Sequence, residues 1–188
     1  MDRAKRVAPL VLMAVLLSCF ALPASYTAGE GEDLLLIHGV QPAGDCEWVT
    51  LFNHGRNDVK LSGYTLSDGE GTVTFGASVT LPAKTQITVF SSKPPGWAPE
   101  GPSVFNGKGA KFSGFKLADA GDQVQILKEG RVMDAFAFGC AGGCDGWIGE
   151  PFEKIPRNGY AKRVSPFDTD AAADWVATVP GRRDFDLS

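Results

Sequence analysis

Carboxylates gather at three turn-like points of the chain: Asp68 with Glu70, Asp119 with Asp122, and Asp168 with Asp170 and Asp174. Oxygen ligands at this density suit a hard cation such as calcium, and paired carboxylates suit acid and base chemistry. None of the three has EF-hand spacing, and aspartate beside glycine is also what a tight turn requires. Asp68, Glu70, Asp168 and Asp170 are therefore weak calcium candidates, with no resident metal or other cofactor assigned. Asp68 and Glu70 are expected on the solvent side of their turn, and Asp168 and Asp174 as caps or backbone acceptors.

A nucleophilic triad needs a base, and the only histidines are His38 and His54. His54 lies in the turn-like "FNHGRND", and no serine sits in a nucleophile-elbow pattern, so no catalytic residue is expected. Four cysteines are present: Cys19, Cys46, Cys140 and Cys144. Zinc is not expected, since a site needs four ligands and only His38 and His54 could join the cysteines. Trp97 and Trp147 fall in loop-like segments, where an exposed aromatic can stack on a sugar or anchor a partner.

Residues 1–28 have the three parts of a secretory signal: Arg3, Lys5 and Arg6, an apolar run from Val7 to Leu22, then small residues to Ala28. Cleavage is expected near 24–28. A retained signal anchor, or lipidation of Cys19 in "LLSC", are the alternatives; after cleavage no membrane span is expected. The expected location is thus extracellular or at the cell surface, where Cys140 and Cys144, separated by Ala141-Gly142-Gly143, are expected to form a disulfide. A bridge from Cys46 would close a longer loop and remains an open pairing. Removing the leader, which carries a net +2, takes the formal charge from −4 to −6. So acidic a protein is a poor polyanion binder, and nucleic acid is not an expected partner.

The elements that must position these residues are short, alternating and punctuated by turn residues, which is the all-β pattern. Ten strand candidates follow: 34–40, 47–53, 59–61, 64–67, 72–75, 79–81, 85–91, 123–128, 131–138 and 160–164. Val49 and Leu51 share a face, as do Ile87 and Val89, Val124 and Ile126, and Val132, Phe136 and Phe138. Glu129-Gly130 predicts an antiparallel hairpin. Residues 92–114, with four prolines, read as a long surface excursion, and Asp168 as the cap of a helical turn over 171–175. Without crossover helices, a single-domain β-sandwich or barrel is expected.

The ordered series "CEWVTLFN", "VKLSGYTLSDGEGTVTF", "LPAKTQITVF", "FKLADAGDQVQIL", "VMDAFAFG", "GYAKRV" and "DTDAAADW" resembles the lamin tail domain. The resemblance runs from about Leu34 to Trp175. It implies an immunoglobulin-like antiparallel β-sandwich over about 33–178, followed by a tail at 179–188, with Trp48 and Trp175 as packing residues. Thr50 and Tyr64 stand where the family commonly has an acidic residue and a tryptophan. The function it implies is a non-catalytic exported module that binds another protein or the cell envelope. The first alternative is an accessory or detached module of a secreted phospholipase D-like phosphodiesterase or nuclease, although no His-x-Lys motif is present. The second is a metal-dependent hydrolase. Oligomeric state is not implied.

Overall fold

The computed structural model describes residues 34–44, 46–96, 101–164 and 168–178. The expected leader with Cys19, the tail at 179–188 and Trp97 lie outside the described residues.

Apolar alternation builds the sheet. The described strands are β1 (Leu35–Gln41), β2 (Trp48–Asn53), β3 (Val59–Lys60), β4 (Tyr64–Ser67), β5 (Thr72–Phe75), β6 (Thr80–Leu81), β7 (Gln86–Phe90), β8 (Ser103–Asn106), β9 (Gly109–Ser113), β10 (Gly121–Lys128), β11 (Arg131–Gly139), β12 (Ala161–Arg163) and β13 (Trp175–Ala177). Ile37, Leu51 and Ile87 are neighbours across β1, β2 and β7, and Val40, Val49 and Val89 form a second row, all buried. Period-two placement puts each row on one face. The β10–β11 hairpin turns through Glu129 and Gly130, whose φ values of 52° and 79° are those of the tight turn that matches strand twist.

Eleven strands form one sheet in the order β11-β10-β4-β5-β9-β8-β7-β2-β1-β12-β13. The sheet curls so that its two halves share a single core, which takes residues from β1, β2 and β7 as well as β4, β5, β10 and β11. Phe136 lies near the centre, with the Trp175 ring at 4.0 Å and Trp147 meeting it edge-on at 5.8 Å. A smaller cluster of Cys46, Trp48, Phe90 and Tyr160 covers part of the opposite face. Gly39 allows this, because a Cβ there would lie 3.0 Å from the Trp48 ring.

Three expectations change. The excursion at 92–114 contains β8 and β9, with Val104 and Ala110 buried, and these strands join the halves of the sheet. β8 pairs in parallel with β7, and β9 with β8, so the sheet is not wholly antiparallel. Beyond residue 170, a 3-10 turn at Ala172–Asp174 follows Ala171 without a side-chain cap, and Trp175 opens β13 instead of ending a helix. Asp168 is engaged elsewhere.

Candidate functional site

Asp68 is buried, contrary to the solvent-side expectation. Its Oδ1 accepts from the backbone N–H groups of Glu70 and Gly71, and its Oδ2 from Lys116 N at 2.7 Å. The reason is the packing of the turn against a neighbouring segment: a Cβ on Gly71 would lie 2.1 Å from Phe115 N. Glu70 is exposed, whereas the Asp68 carboxylate is taken up by backbone N–H groups. Asp122 behaves like Asp68 on a smaller scale, accepting from Ala118 N and Gln123 N, while Asp119 is exposed. Burial, partly offset by these two bonds, raises the Asp122 carboxyl above its ordinary value.

The third cluster does converge, but around a cation supplied by the chain. Arg163 is 1 % exposed; its Nη2 donates to both oxygens of Asp134 at 2.8 and 3.0 Å, and its Nη1 to Asp168 at 2.7 Å. Asp174 lies 3.7 Å from the same Nη1 and accepts from Thr169 N and Oγ1. The guanidinium also lies over the Trp175 ring at 4.8 Å. Arg163 Nε donates to Ile37 O, and Ile37 N donates to Asp134 Oδ2 at 2.6 Å. One planar fork thus connects β1, β11, β12 and the 168–174 loop. Carboxylate oxygens of Asp134, Asp168 and Asp170 lie within 4.8 Å of one another, with Arg163 providing the counter-charge among them.

One guanidinium does not neutralise this many carboxylates. Burial, opposed by the pull of Arg163 and aided by the charge of Asp168, pushes the Asp134 carboxyl up to about 7. Burial disfavours the charged Arg163, but Asp134 and Asp168 outweigh it and hold the guanidinium above its ordinary value. Burial thus sets the direction for Asp134, and the neighbouring carboxylates set it for Arg163. Unfolded, Asp134 releases its proton near 3.8; folded, it retains the proton until about 7. Its contribution to stability is therefore present in acid and is lost as pH rises through about 7. Urea midpoints are expected to fall between pH 5 and pH 8, and Asp134→Asn to flatten that slope. A midpoint rising over the interval in the parent protein would contradict the assignment.

The loop after β11 carries the remaining sequence candidates. Cys140 and Cys144 are free thiols here, so the expected bridge is not formed. Cys140 is exposed, whereas the half-buried Cys144 Sγ is directed to the Asp145 carbonyl at 3.7 Å. Burial, then the Asp145 charge, pushes the Cys144 thiol up to about 11, which disfavours thiolate. Cys46 is also free, buried beside Ser92 Oγ at 3.3 Å. Trp147 is half-buried against Phe136 and its Nε1 donates to Glu150 O. Next to it Ile148 is 65 % exposed, and its N–H donates to Asp170 O. Residues 141–145 with Trp147, Gly149 and Pro151 line an open cleft of about 570 Å³.

On the far face, His38 and His54 flank Phe52, at ring separations of 5.4 and 4.4 Å. Burial and the charges of Lys84 and Arg163 lower the His54 pKa, keeping this imidazole neutral at pH 7. Arg163 and Asp134 were the residues that reading by motif passed over. Asp134 interrupts the inward row Val132, Phe136, Phe138, and a carboxylate at such a position demands a buried partner.

A curled all-β sheet closed over one core, with chemistry confined to loops and a buried ion-pair network, defines an immunoglobulin-like module. The chain belongs to the Lamin Tail Domain family, whose model matches residues 30–140. The match ends at the close of β11, so Arg163, β12, β13 and the cleft loop beyond Cys140 lie after it. No curated protein matches the sequence.

Proposed function

We propose that this Lamin Tail Domain chain is a non-catalytic, exported module that attaches to another protein or to a component of the cell envelope through its 140–151 loop. The carrying observation is Ile148, a large apolar side chain left 65 % exposed beside a cleft. Its neighbour Trp147 is packed on the core, and its own N–H is bonded to Asp170 O, so the loop is braced from two sides. A braced apolar tip meets a partner with little ordering cost. The two tests of the site's chemistry support the same reading: Asp68 serves the turn, and the Asp168 group serves Arg163.

The test is a capture experiment with the leaderless protein against envelope fractions and secreted proteins of its source, run with and without chelator. Ile148→Glu is expected to abolish retention of whatever the parent retains, with circular dichroism unchanged. Retention unaffected by Ile148→Glu, or no retained species at all, would overturn this reading. A secreted phosphodiesterase or nuclease among the retained proteins would identify the partner class as the accessory-module alternative.

A further inference from the structure

The outer face of β1, β2 and β7 places two imidazoles and a side-chain amide around one ring. Phe52 lies opposite Leu36 on β1 and Gln86 on β7, and His54 follows it by two residues, so His54 shares its face. His38 sits where the β1–β2 register shifts between Ile37 and Gly39, a bulge of the kind that re-aims a side chain. The His38 and His54 ring centres are 6.4 Å apart. His54 Nε2 and Gln86 Oε1 are both shielded from water and make no hydrogen bond. A buried polar atom left in that state costs free energy and calls for an occupant such as a water or an ion.

We propose that His38 and His54, with the Gln86 amide oxygen behind them, form a binding site for a divalent transition-metal ion of the zinc, nickel or copper class. Imidazole nitrogen is the ligand these ions favour, while calcium and magnesium require oxygen sets that this face lacks. With metal–nitrogen bonds of about 2.1 Å, two imidazoles on one ion have ring centres roughly 5 Å apart at a tetrahedral angle and about 6.5 Å apart when trans. The observed 6.4 Å matches the trans arrangement open to Cu²⁺ and Ni²⁺, and a tetrahedral ion would have to draw the two rings together by about 1 Å. Water would complete the coordination. Lys84 opposes the ion: its Nζ donates to the carbonyl of His54, bringing an ammonium to the rim of the site. The site is independent of the 140–151 loop.

Calorimetry with Zn²⁺ and Ni²⁺ on the full folded domain tests this, in a Cys140→Ser, Cys144→Ser background that removes the accessible thiols. One metal per chain is expected, with no response to Ca²⁺. His54→Gln and His38→Gln should each weaken binding by at least about tenfold, and Lys84→Gln should tighten it a few-fold. Because His38 is tucked into the sheet, a second readout uses the parent residues: the Cu²⁺ electron paramagnetic resonance spectrum should show coupling to two imidazole nitrogens. Absence of binding, unchanged affinity in the histidine variants, or coupling to fewer than two imidazoles would overturn the proposal and leave the three rings as aromatic packing.

Discussion

Arg163→Ala is expected to destabilise the domain by about 3–5 kcal/mol, because it strips a fully buried carboxyl, Asp134, of its guanidinium partner in the core. Asp134 is 1 % exposed, and two of its bonds come from Arg163 Nη2. The same substitution also orphans the Ile37 carbonyl, removes the 2.7 Å bond to Asp168 and uncovers one face of Trp175. Urea denaturation followed by tryptophan fluorescence would measure it. The paired replacement Arg163→Met with Asp134→Leu separates ion-pair loss from packing loss: it is expected to recover most of the stability, since apolar side chains remove both charges at once. A loss below about 1 kcal/mol for Arg163→Ala would show that the guanidinium is not the element joining β1, β11 and β12.

Asp68→Ala is the second large effect, expected at about 2–4 kcal/mol, since hydrogen bonds to a charged acceptor are among the stronger ones and buried donors are costly to abandon. Three backbone N–H groups, those of Glu70, Gly71 and Lys116, lose their acceptor together. The Lys116 bond holds the segment that leads into β10, so the damage should extend beyond the turn. Hydrogen exchange at Gly71 and Lys116 is expected to accelerate in Asp68→Ala and much less in Asp68→Asn, which retains one acceptor oxygen. Glu70→Ala, on an exposed side chain two residues away, serves as the control and should change stability by under about 0.5 kcal/mol. Equal effects from the two variants would refute the assignment of Asp68 as the organiser of this turn.

Strand by strand, the readable part of this protein was where alternation is long. β2, β7, β10 and β11 carry apolar residues on a two-residue repeat, broken in β11 by Asp134, and burial of one face makes that repeat visible. β8, β9 and β13 were not readable, because three to five residues with one buried side chain, such as Val104 or Ala110, carry too little periodicity to stand out from a loop. Asp134 was visible in principle as the polar member of an inward row. Arg163, 29 residues further on, was not identifiable as its partner from the chain alone.

What the amino-acid sequence determined by itself was the class of fold: a β-sandwich of the lamin tail type, with glycine and aspartate at its turns. Local alternation and turn chemistry act over neighbouring residues and need no knowledge of the rest of the chain. The roles of the charged residues were decided only by tertiary structure. Asp68 became an internal acceptor because Gly71 lets the Gly114-Phe115 backbone approach, and the carboxylates of the 168–174 loop became partners of Arg163 because sheet curling brings β11 and β12 to the same side of Ile37. Whether a carboxylate binds an ion, takes part in chemistry or accepts hydrogen bonds from the backbone depends on what faces it. In this fold, those facing groups lie up to 97 residues away in the chain, as in Asp134 and Ile37.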